Sequence, residues 1–133
     1  MPTPDLDACV GVHRALLEES APELLVGSSF GGAVVWRLLA EGAWSGPCLL
    51  LAPAAARLGL PWRLPQEVRT GPLWVVHGLQ DELLPWNDSL ELARRNPERG
   101  LQLVLVDDDH RLGRWTAAGG LVELALRALA KQP

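Results

Sequence analysis

Four short apolar runs, separated by segments of helical period, limit most strongly how this chain can fold. The runs are residues 23–26, 48–51, 73–76 and 101–106. Strands covered on both faces of a parallel sheet have this near-continuous apolar composition, because neither face meets water. Strands that alternate with helices form right-handed βαβ units. The sequence therefore predicts an α/β fold, with a parallel sheet of about four strands and helices on both faces.

The segments between and around these runs predict four helices. They cover residues 4–20, 30–41, 88–96 and 116–131. The first begins at Thr3-Pro4-Asp5, where a capping residue precedes a proline at the first helical position. Asn87 or Asp88 is the expected cap of the third helix. The stretch 52–72 contains four prolines and no helical or strand pattern, and a loop of this length in a compact domain is typically functional or mobile.

Composition narrows the classes of protein that the chain can belong to. Its 133 residues suit one domain, residues 1–133, and 48% of them are hydrophobic, enough for a core. A net charge of −4 gives no electrostatic footprint for nucleic acid. No segment has the apolar length of a membrane span, and residues 1–5 do not begin a signal peptide. Cys9 and Cys48 are expected to be unpaired, which is compatible with the cytoplasm.

The strongest chemical signal is Gly27-Ser28-Ser29-Phe30-Gly31, which directly follows the first apolar run and opens a helix. In that context G-x-S-x-G indicates a nucleophile elbow, a strained turn that lifts the serine hydroxyl above the sheet edge. The elbow needs small neighbours, and the N–H of Phe30 points into the same space with the helix dipole behind it. The alternative is a tight strand-to-helix turn without chemistry.

A serine hydroxyl is a weak nucleophile without a base, so the motif requires a histidine. His110 follows the fourth apolar run, where the functional sites of open α/β sheets collect, and is the predicted base. His13 lies in the middle of a helix and is expected to pack there. His77 ends the third run, and we expect it to be mainly structural.

The base must be held in one tautomer by an acid. Asp81 lies just past the third apolar run and is the predicted acid, with Glu82 as the alternative. Residues 107–109, three aspartates next to His110, predict a solvated acidic turn; a site for a hard cation is the less favoured interpretation. No metal or cofactor is predicted.

Ser29, Asp81 and His110 occur in the order Ser…Asp…His, each after a separate apolar run, and this arrangement resembles the α/β-hydrolase family. Gly27-Ser28-Ser29-Phe30-Gly31 resembles the family's elbow, and residues 77–85 resemble its H-G-x-x-D-x-x-V-P acid loop, with Leu at the Val position. Asp109-His110 resembles its histidine loop. The resemblance covers nearly the whole chain.

The chain departs from the family before the elbow, where the family has several strands and this chain has one helix. It thus resembles the C-terminal half of the fold. By resemblance, Phe30 supplies one oxyanion N–H, and residues 1–5 or the 53–62 loop are expected to supply the second. Loss of one such donor typically costs a factor of about 10²–10³ in rate.

These features predict an esterase for short- to medium-chain carboxylic esters that works through an acyl-enzyme, with a small-molecule ester as its partner. The acyl pocket is predicted to be walled by Leu58, Leu60, Trp62 and Trp86, with core packing as the alternative role of the tryptophans. A thioesterase or acyltransferase would use the same residues. A non-catalytic domain of hydrolase shape, acting in binding or assembly, is the alternative from another class.

The first apolar run also predicts self-association. In the family another strand lies beside the elbow strand, so residues 23–26 would form a sheet edge with unpaired backbone groups. The apolar side chains of this run lack the charges that usually protect an edge. We therefore expect a homodimer or higher homo-oligomer that buries this edge or the adjoining face.

Overall fold

The computed structural model describes residues 5–130, whose strands form one parallel sheet. The strands are β1 (Leu25–Ser28), β2 (Cys48–Leu51), β3 (Leu73–Gly78) and β4 (Gln102–Val106), in the order β1-β2-β3-β4. Every neighbouring pair is parallel. The predicted run 48–51 coincides with β2. β1 begins two residues later than predicted, since Leu25 is the residue whose N–H reaches the carbonyl oxygen of Pro47, at 3.1 Å.

The helices surround this sheet. They are α1 (Leu6–Glu19), α2 (Phe30–Ala40), α3 (Trp86–Arg94), α4 (Gly113–Ala117) and α5 (Gly120–Ala130), with a 3₁₀ turn at Pro97–Arg99. The carboxylate of Asp5 caps α1 by accepting the N–H of Ala8 at 3.1 Å. The cap expected at Thr3-Pro4 lies outside the described residues. No helix between residues 5 and 130 is long and apolar enough to cross a membrane.

Two helix boundaries differ from the prediction. Pro85 is the N-cap of α3, so Asn87 and Asp88 lie inside the helix and the expected cap at either of them is wrong. The extended backbone of Pro85 ends the preceding loop and lets the helix start at the next residue. The single helix predicted over 116–131 is divided into α4 and α5 at Gly119, whose φ of 90° is left-handed and ends α4.

The two faces of the sheet carry separate apolar clusters, because side chains alternate along each strand. One face packs against α2 and α3 through Cys48, Leu50, Leu73 and Val75. The other face packs against α5 through Leu49, Leu51, Trp74 and Val76. The prediction of a parallel α/β sheet with helices on both faces is therefore confirmed. Cys9 and Cys48 carry free thiols, and burial raises the pKa of the Cys48 thiol to about 12.

At one side of the molecule the sheet ends at β1. α1 packs against α2, where Val10 contacts Val34 and Leu38, rather than extending the sheet. Within the described part of the chain β1 pairs only with β2. The N–H groups of Leu25 and Ser29 donate towards β2. Since successive residues of a strand direct their backbone groups alternately to its two sides, those of Val26 and Ser28 point to the free side.

Candidate active site

Ser29 lies in the turn between β1 and α2, in a conformation that few residues adopt. Its φ of 54° and ψ of −112° cost about 1–3 kcal/mol and persist only where the surroundings impose them. The surroundings here are hydrogen bonds: the N–H of Ser29 donates to Leu51 at 2.8 Å, and its carbonyl accepts from Gly32, Ala33 and Ala54 at 3.0, 3.3 and 2.9 Å. The strained turn is therefore held from both β2 and the chain that follows it.

Close backbone contacts explain two of the glycines around this serine. A Cβ on Gly27 would lie 2.4 Å from the carbonyl oxygen of Gly31, and one on Gly32 would lie 2.8 Å from the Cα of Pro53. A Cβ on Gly31 would meet nothing within 4 Å. The turn thus requires small residues before the serine and at the third position after it, whereas the space at Gly31 is open.

The three residues predicted to form a triad are brought together at the carboxyl ends of the strands. His110 Nε2 lies 3.0 Å from the Oγ of Ser29, and His110 Nδ1 lies 2.7 Å from the Oδ2 of Asp81. An ionised carboxylate can only accept, so Nδ1 carries the proton and Nε2 presents its lone pair to the serine hydroxyl. This is the arrangement that a serine nucleophile needs. Glu82, the alternative acid, is exposed.

The side chain of Asp81 is fully buried and saturated with donors. Its Oδ1 accepts the N–H groups of Leu83 at 2.9 Å and Leu84 at 2.8 Å. Burial alone would raise the pKa of Asp81, but the hydrogen bonds from Leu84, His110 and Leu83 outweigh it and lower the pKa below its ordinary value. Asp81 is therefore an anion at neutral pH, as an acid that orients a histidine must be.

The acid and histidine loops meet because Gly78 lets them cross closely. A Cβ on Gly78 would lie 2.3 Å from the carbonyl oxygen of Asp108, and the N–H of Gln80 donates to the same oxygen at 3.0 Å. The side chain of Asp108 is buried and accepts the N–H of Trp115 at 2.8 Å, so the expected solvated turn is wrong for this residue. Asp107 and Asp109 are exposed. No cluster of metal-binding side chains occurs among the residues that the structure describes.

The loop from Ala52 to Pro72 is anchored by side chains that the sequence did not single out. Asn96, fully buried, accepts the N–H of Leu64 at 2.9 Å and donates to the carbonyl of Trp62 at 2.8 Å. The indole of Trp36 donates to the carbonyl of Pro61 at 2.9 Å. No local motif identifies Asn96, because its partners in this loop lie more than thirty residues away in sequence.

The four residues predicted to wall the acyl pocket have different surroundings. Leu60 and Trp62 pack against the main core, while Leu58 and Trp86 are half-buried. None of the four lines the cavity beside the triad, which measures about 420 Å³. That cavity is lined by Gln80, Glu82, Leu83, Asp109, His110 and Arg111.

A second cavity, the edge groove, lies between α1, β1 and α2. It measures about 400 Å³ and has an apolar lining that includes Leu16, Leu17, Val26, Phe30, Gly31 and Val34. Leu16 and Val26 are half-exposed in its walls, at 50% and 47%. The groove follows the free side of β1 and ends beside the first turn of α2, next to the elbow.

Of the two expected oxyanion donors, only Phe30 can be placed among residues 5–130. Phe30 is the first residue of α2, so its N–H is one of those at a helix start that no helical carbonyl satisfies. In the 53–62 loop, Pro53 has no N–H and that of Ala54 is engaged by the Ser29 carbonyl, so neither is free to act as the second donor. Among residues 1–5 the structure describes only Asp5, which caps α1.

Comparisons with known proteins agree with this fold. No family model and no curated protein matches the chain. Among solved structures, a candidate hydrolase of the α/β superfamily from Xanthomonas campestris pv. campestris is 25% identical, with a TM-score of 0.65, over 95% of this chain and 66% of its own. Est1E from Butyrivibrio proteoclasticus is 22% identical, with a TM-score of 0.72, over 96% of this chain and 72% of its own.

A monoacylglycerol lipase from Paleococcus ferrophilus is 12% identical, with a TM-score of 0.72, over 97% of this chain and 77% of its own. The chain thus spans between 66% and 77% of the length of these three proteins. It has the α/β-hydrolase fold, and within the described residues the elbow strand β1 lies at one edge of the sheet.

Proposed function

We propose that the chain is a serine hydrolase that cleaves short- to medium-chain carboxylic esters through an acyl-enzyme. The observation that carries the proposal is the continuous set of contacts from Ser29 Oγ to His110 Nε2, at 3.0 Å, and from His110 Nδ1 to Asp81 Oδ2, at 2.7 Å. A hydroxyl that contacts an imidazole, which in turn contacts a buried carboxylate, is an activated nucleophile.

The reaction would follow from the positions of these groups. Ser29 Oγ attacks the ester carbonyl while His110 Nε2 takes its proton, and Asp81 stabilises the imidazolium that forms. The N–H of Phe30, at the positive end of the α2 dipole, stabilises the oxyanion. His110 then protonates the leaving alcohol, and it activates the water that hydrolyses the acyl-enzyme.

The cavity beside His110 favours a small substrate. Its volume is about 420 Å³, at the small end of the range for ligand pockets. Of its lining side chains only Leu83 is apolar, and that residue is 73% exposed. We therefore propose that this cavity holds the polar leaving group or a short acyl chain rather than a long one.

Substitution of the nucleophile and the base tests the proposal. Ser29→Ala and His110→Ala should each abolish hydrolysis of a short p-nitrophenyl ester while circular dichroism shows an unchanged fold, because the members of such a triad act as a unit. Ser28→Ala is the matched control: Ser28 is an exposed neighbour in the same turn and should keep wild-type turnover. Wild-type turnover in Ser29→Ala would show that the nucleophile is a different residue.

A non-catalytic binding domain is the second candidate, because Phe30 is the one oxyanion donor placed among residues 5–130. The two candidates differ in the wild-type protein itself. Ester hydrolysis that is lost in Ser29→Ala excludes the binding domain. Absence of turnover in the folded wild type would favour it.

We further propose that a second copy of the chain pairs with β1. The outward backbone groups of Val26 and Ser28 need hydrogen-bond partners, which an extended strand supplies and a helix cannot. Two identical edges satisfy each other about a two-fold axis, when β1 of each copy runs antiparallel to the other. The half-exposed Leu16 and Val26 would become buried in the same contact.

Light scattering at assay concentration tests this assembly. We expect the wild type to be a dimer and Val26→Lys to be a monomer, because a charge on an edge strand opposes pairing. Val122→Lys is the control, since Val122 is 64% exposed on α5, away from the groove. A monomeric wild type, or a dimer that survives Val26→Lys, would exclude pairing through β1.

A further inference from the structure

His77 occupies a buried position from which it contacts the acid loop. It lies on β3 and is 0% exposed. Its Nε2 is 2.9 Å from the carbonyl oxygen of Leu84 and 3.1 Å from the Oδ2 of Asp81, and its Nδ1 is 2.6 Å from the Oγ of Ser89. Every polar atom of the ring therefore has a partner, and one partner is the carboxylate that holds His110.

These partners determine which ring nitrogen carries the proton. The Leu84 carbonyl and the ionised Asp81 carboxylate can only accept, so Nε2 must be the donor. In the neutral ring Nδ1 is then an acceptor, and the hydroxyl of Ser89 donates to it. Ser89, on α3, is itself 0% exposed, so no solvent competes for its proton.

The same contacts fix Leu84 from both sides. Its N–H donates to Oδ1 of Asp81 at 2.8 Å, and its carbonyl accepts from Nε2 of His77 at 2.9 Å. Hydrogen bonds thus link the acid loop to β3: His77 on β3 contacts the Leu84 carbonyl, and the Leu84 N–H contacts the Asp81 carboxylate. The polarised N–H of His77 beside Oδ2 also favours the charged form of Asp81.

We propose that His77 is a positioning residue, which holds the acid loop and the Asp81 carboxylate in register with His110, and that Ser89 keeps its proton on Nε2. The inference rests on the proposed function, in which Asp81 orients the base. It explains why a polar ring stands in the buried strand β3, where an apolar side chain would pack without the cost of burying polar atoms.

Three variants of the purified protein test the role. His77→Leu removes the donor and should lower kcat about 10²-fold, the loss that follows when a reacting group is displaced by about 1 Å. KM should change little, because the ring does not line the substrate cavity. His77→Gln places an amide N–H near the position of Nε2 and should restore at least tenfold of that loss, a rescue that simple space-filling does not predict. Val75→Ala is the control. It creates a cavity on the same face of β3, away from the acid loop, and should leave kcat unchanged.

A double-mutant cycle separates positioning from general stability. In an Asp81→Asn background the His77→Leu substitution should have little further effect on kcat, because the group through which it acts is already disabled. The inference is wrong if His77→Leu keeps kcat within about threefold of wild type, or if His77→Gln is no better than His77→Leu. The inference is also wrong if the falls in kcat caused by His77→Leu and Asp81→Asn multiply in the double variant.

If His77→Leu does not fold, Ser89→Ala decides, since it removes one hydroxyl and leaves the ring in place. A fall in kcat at unchanged KM supports the inference, and an unchanged kcat overturns it. Failure of the proposed function looks different, because Ser29→Ala would then keep its turnover. Loss of activity in Ser29→Ala together with an insensitive His77→Leu rejects the positioning role alone.

Discussion

The carboxyl end of the sheet and the free edge of β1 meet at Ser29, yet they are built in opposite ways. At the carboxyl end the polar groups around the serine are matched: its carbonyl accepts three N–H groups, and the Asp81 carboxylate is contacted by four nitrogens. At the free edge β1 pairs with no strand among the described residues, and its residue Val26 lines the apolar edge groove of about 400 Å³.

The difference shows which part of the chain can hold a strained conformation unaided. A residue such as Ser29 stays at φ 54° only because its neighbours impose it, and those neighbours come from β2, α2 and the loop after β2. The four residues that bond to the backbone of Ser29, namely Gly32, Ala33, Leu51 and Ala54, do not line the edge groove. The triad can therefore be complete while the adjoining edge still offers a surface for another strand.

The largest expected effect lies at the carboxyl end, in the comparison of two neighbouring acids. Asp81→Asn should keep the fold and lower kcat by about 10⁴, because the amide favours the wrong tautomer of His110. Glu82→Gln, in an exposed side chain, should change kcat less than about threefold. Steady-state kinetics on a short ester measures both, and the reverse order would assign the acid to Glu82.

The next largest effect is expected for two glycines of the elbow. Gly27 lies in the packed turn, and Gly31 lines the edge groove. Gly27→Ala places a Cβ 2.4 Å from the Gly31 carbonyl oxygen and should lower the free energy of unfolding by about 1–3 kcal/mol, with loss of turnover. Gly31→Ala points into the open edge groove and should be neutral or stabilising by up to about 1 kcal/mol, since it adds a better helix former to α2. Urea unfolding measures both; equal destabilisation by the two substitutions would contradict this division.

The smallest effect is the response of stability to acid. Asp81 and Asp108 both have a pKa lowered in the folded state: for Asp81 the hydrogen bonds from Leu84, His110 and Leu83 outweigh burial, and for Asp108 the N–H of Trp115 is the main cause. The two carboxylates add to the free energy of unfolding above their unfolded pKa of about 3.9. That contribution is lost as pH falls through the lower folded pKa values. Urea midpoints should fall between pH 5 and pH 3. Asp108→Asn should flatten that fall without moving turnover at neutral pH, and an unchanged slope would mean that Asp108 does not contribute.

Much of this structure follows from the sequence. The continuous apolar run 48–51 predicts β2 with its correct bounds, since a strand buried on both faces needs no other signal. Ser29, Asp81 and His110 were identifiable because each follows a strand, and the carboxyl ends of parallel strands meet at one edge of the sheet. These predictions depend on local patterns that are visible in the sequence itself.

Features that depend on distant partners were not predictable in this way. His77 was expected to be mainly structural, but its contact with Asp81 depends on how the acid loop folds back on β3. Asn96 lies between α3 and the 3₁₀ turn, and its role depends on the loop that contains Trp62 and Leu64. The break at Gly119 was hidden by a helical pattern that continues across it.

Covalent labelling of Ser29 tests the central claim most directly. An activated serine reacts with a fluorophosphonate, whereas an ordinary surface serine does not, so the reaction reports the nucleophile without any choice of ester. We expect intact mass spectrometry to show one label on the wild type and on Ser28→Ala, and none on Ser29→Ala. A folded wild type that stays unlabelled, or a Ser29→Ala variant that labels at the wild-type rate, would contradict the claim that Ser29, activated by His110 and Asp81, is the nucleophile.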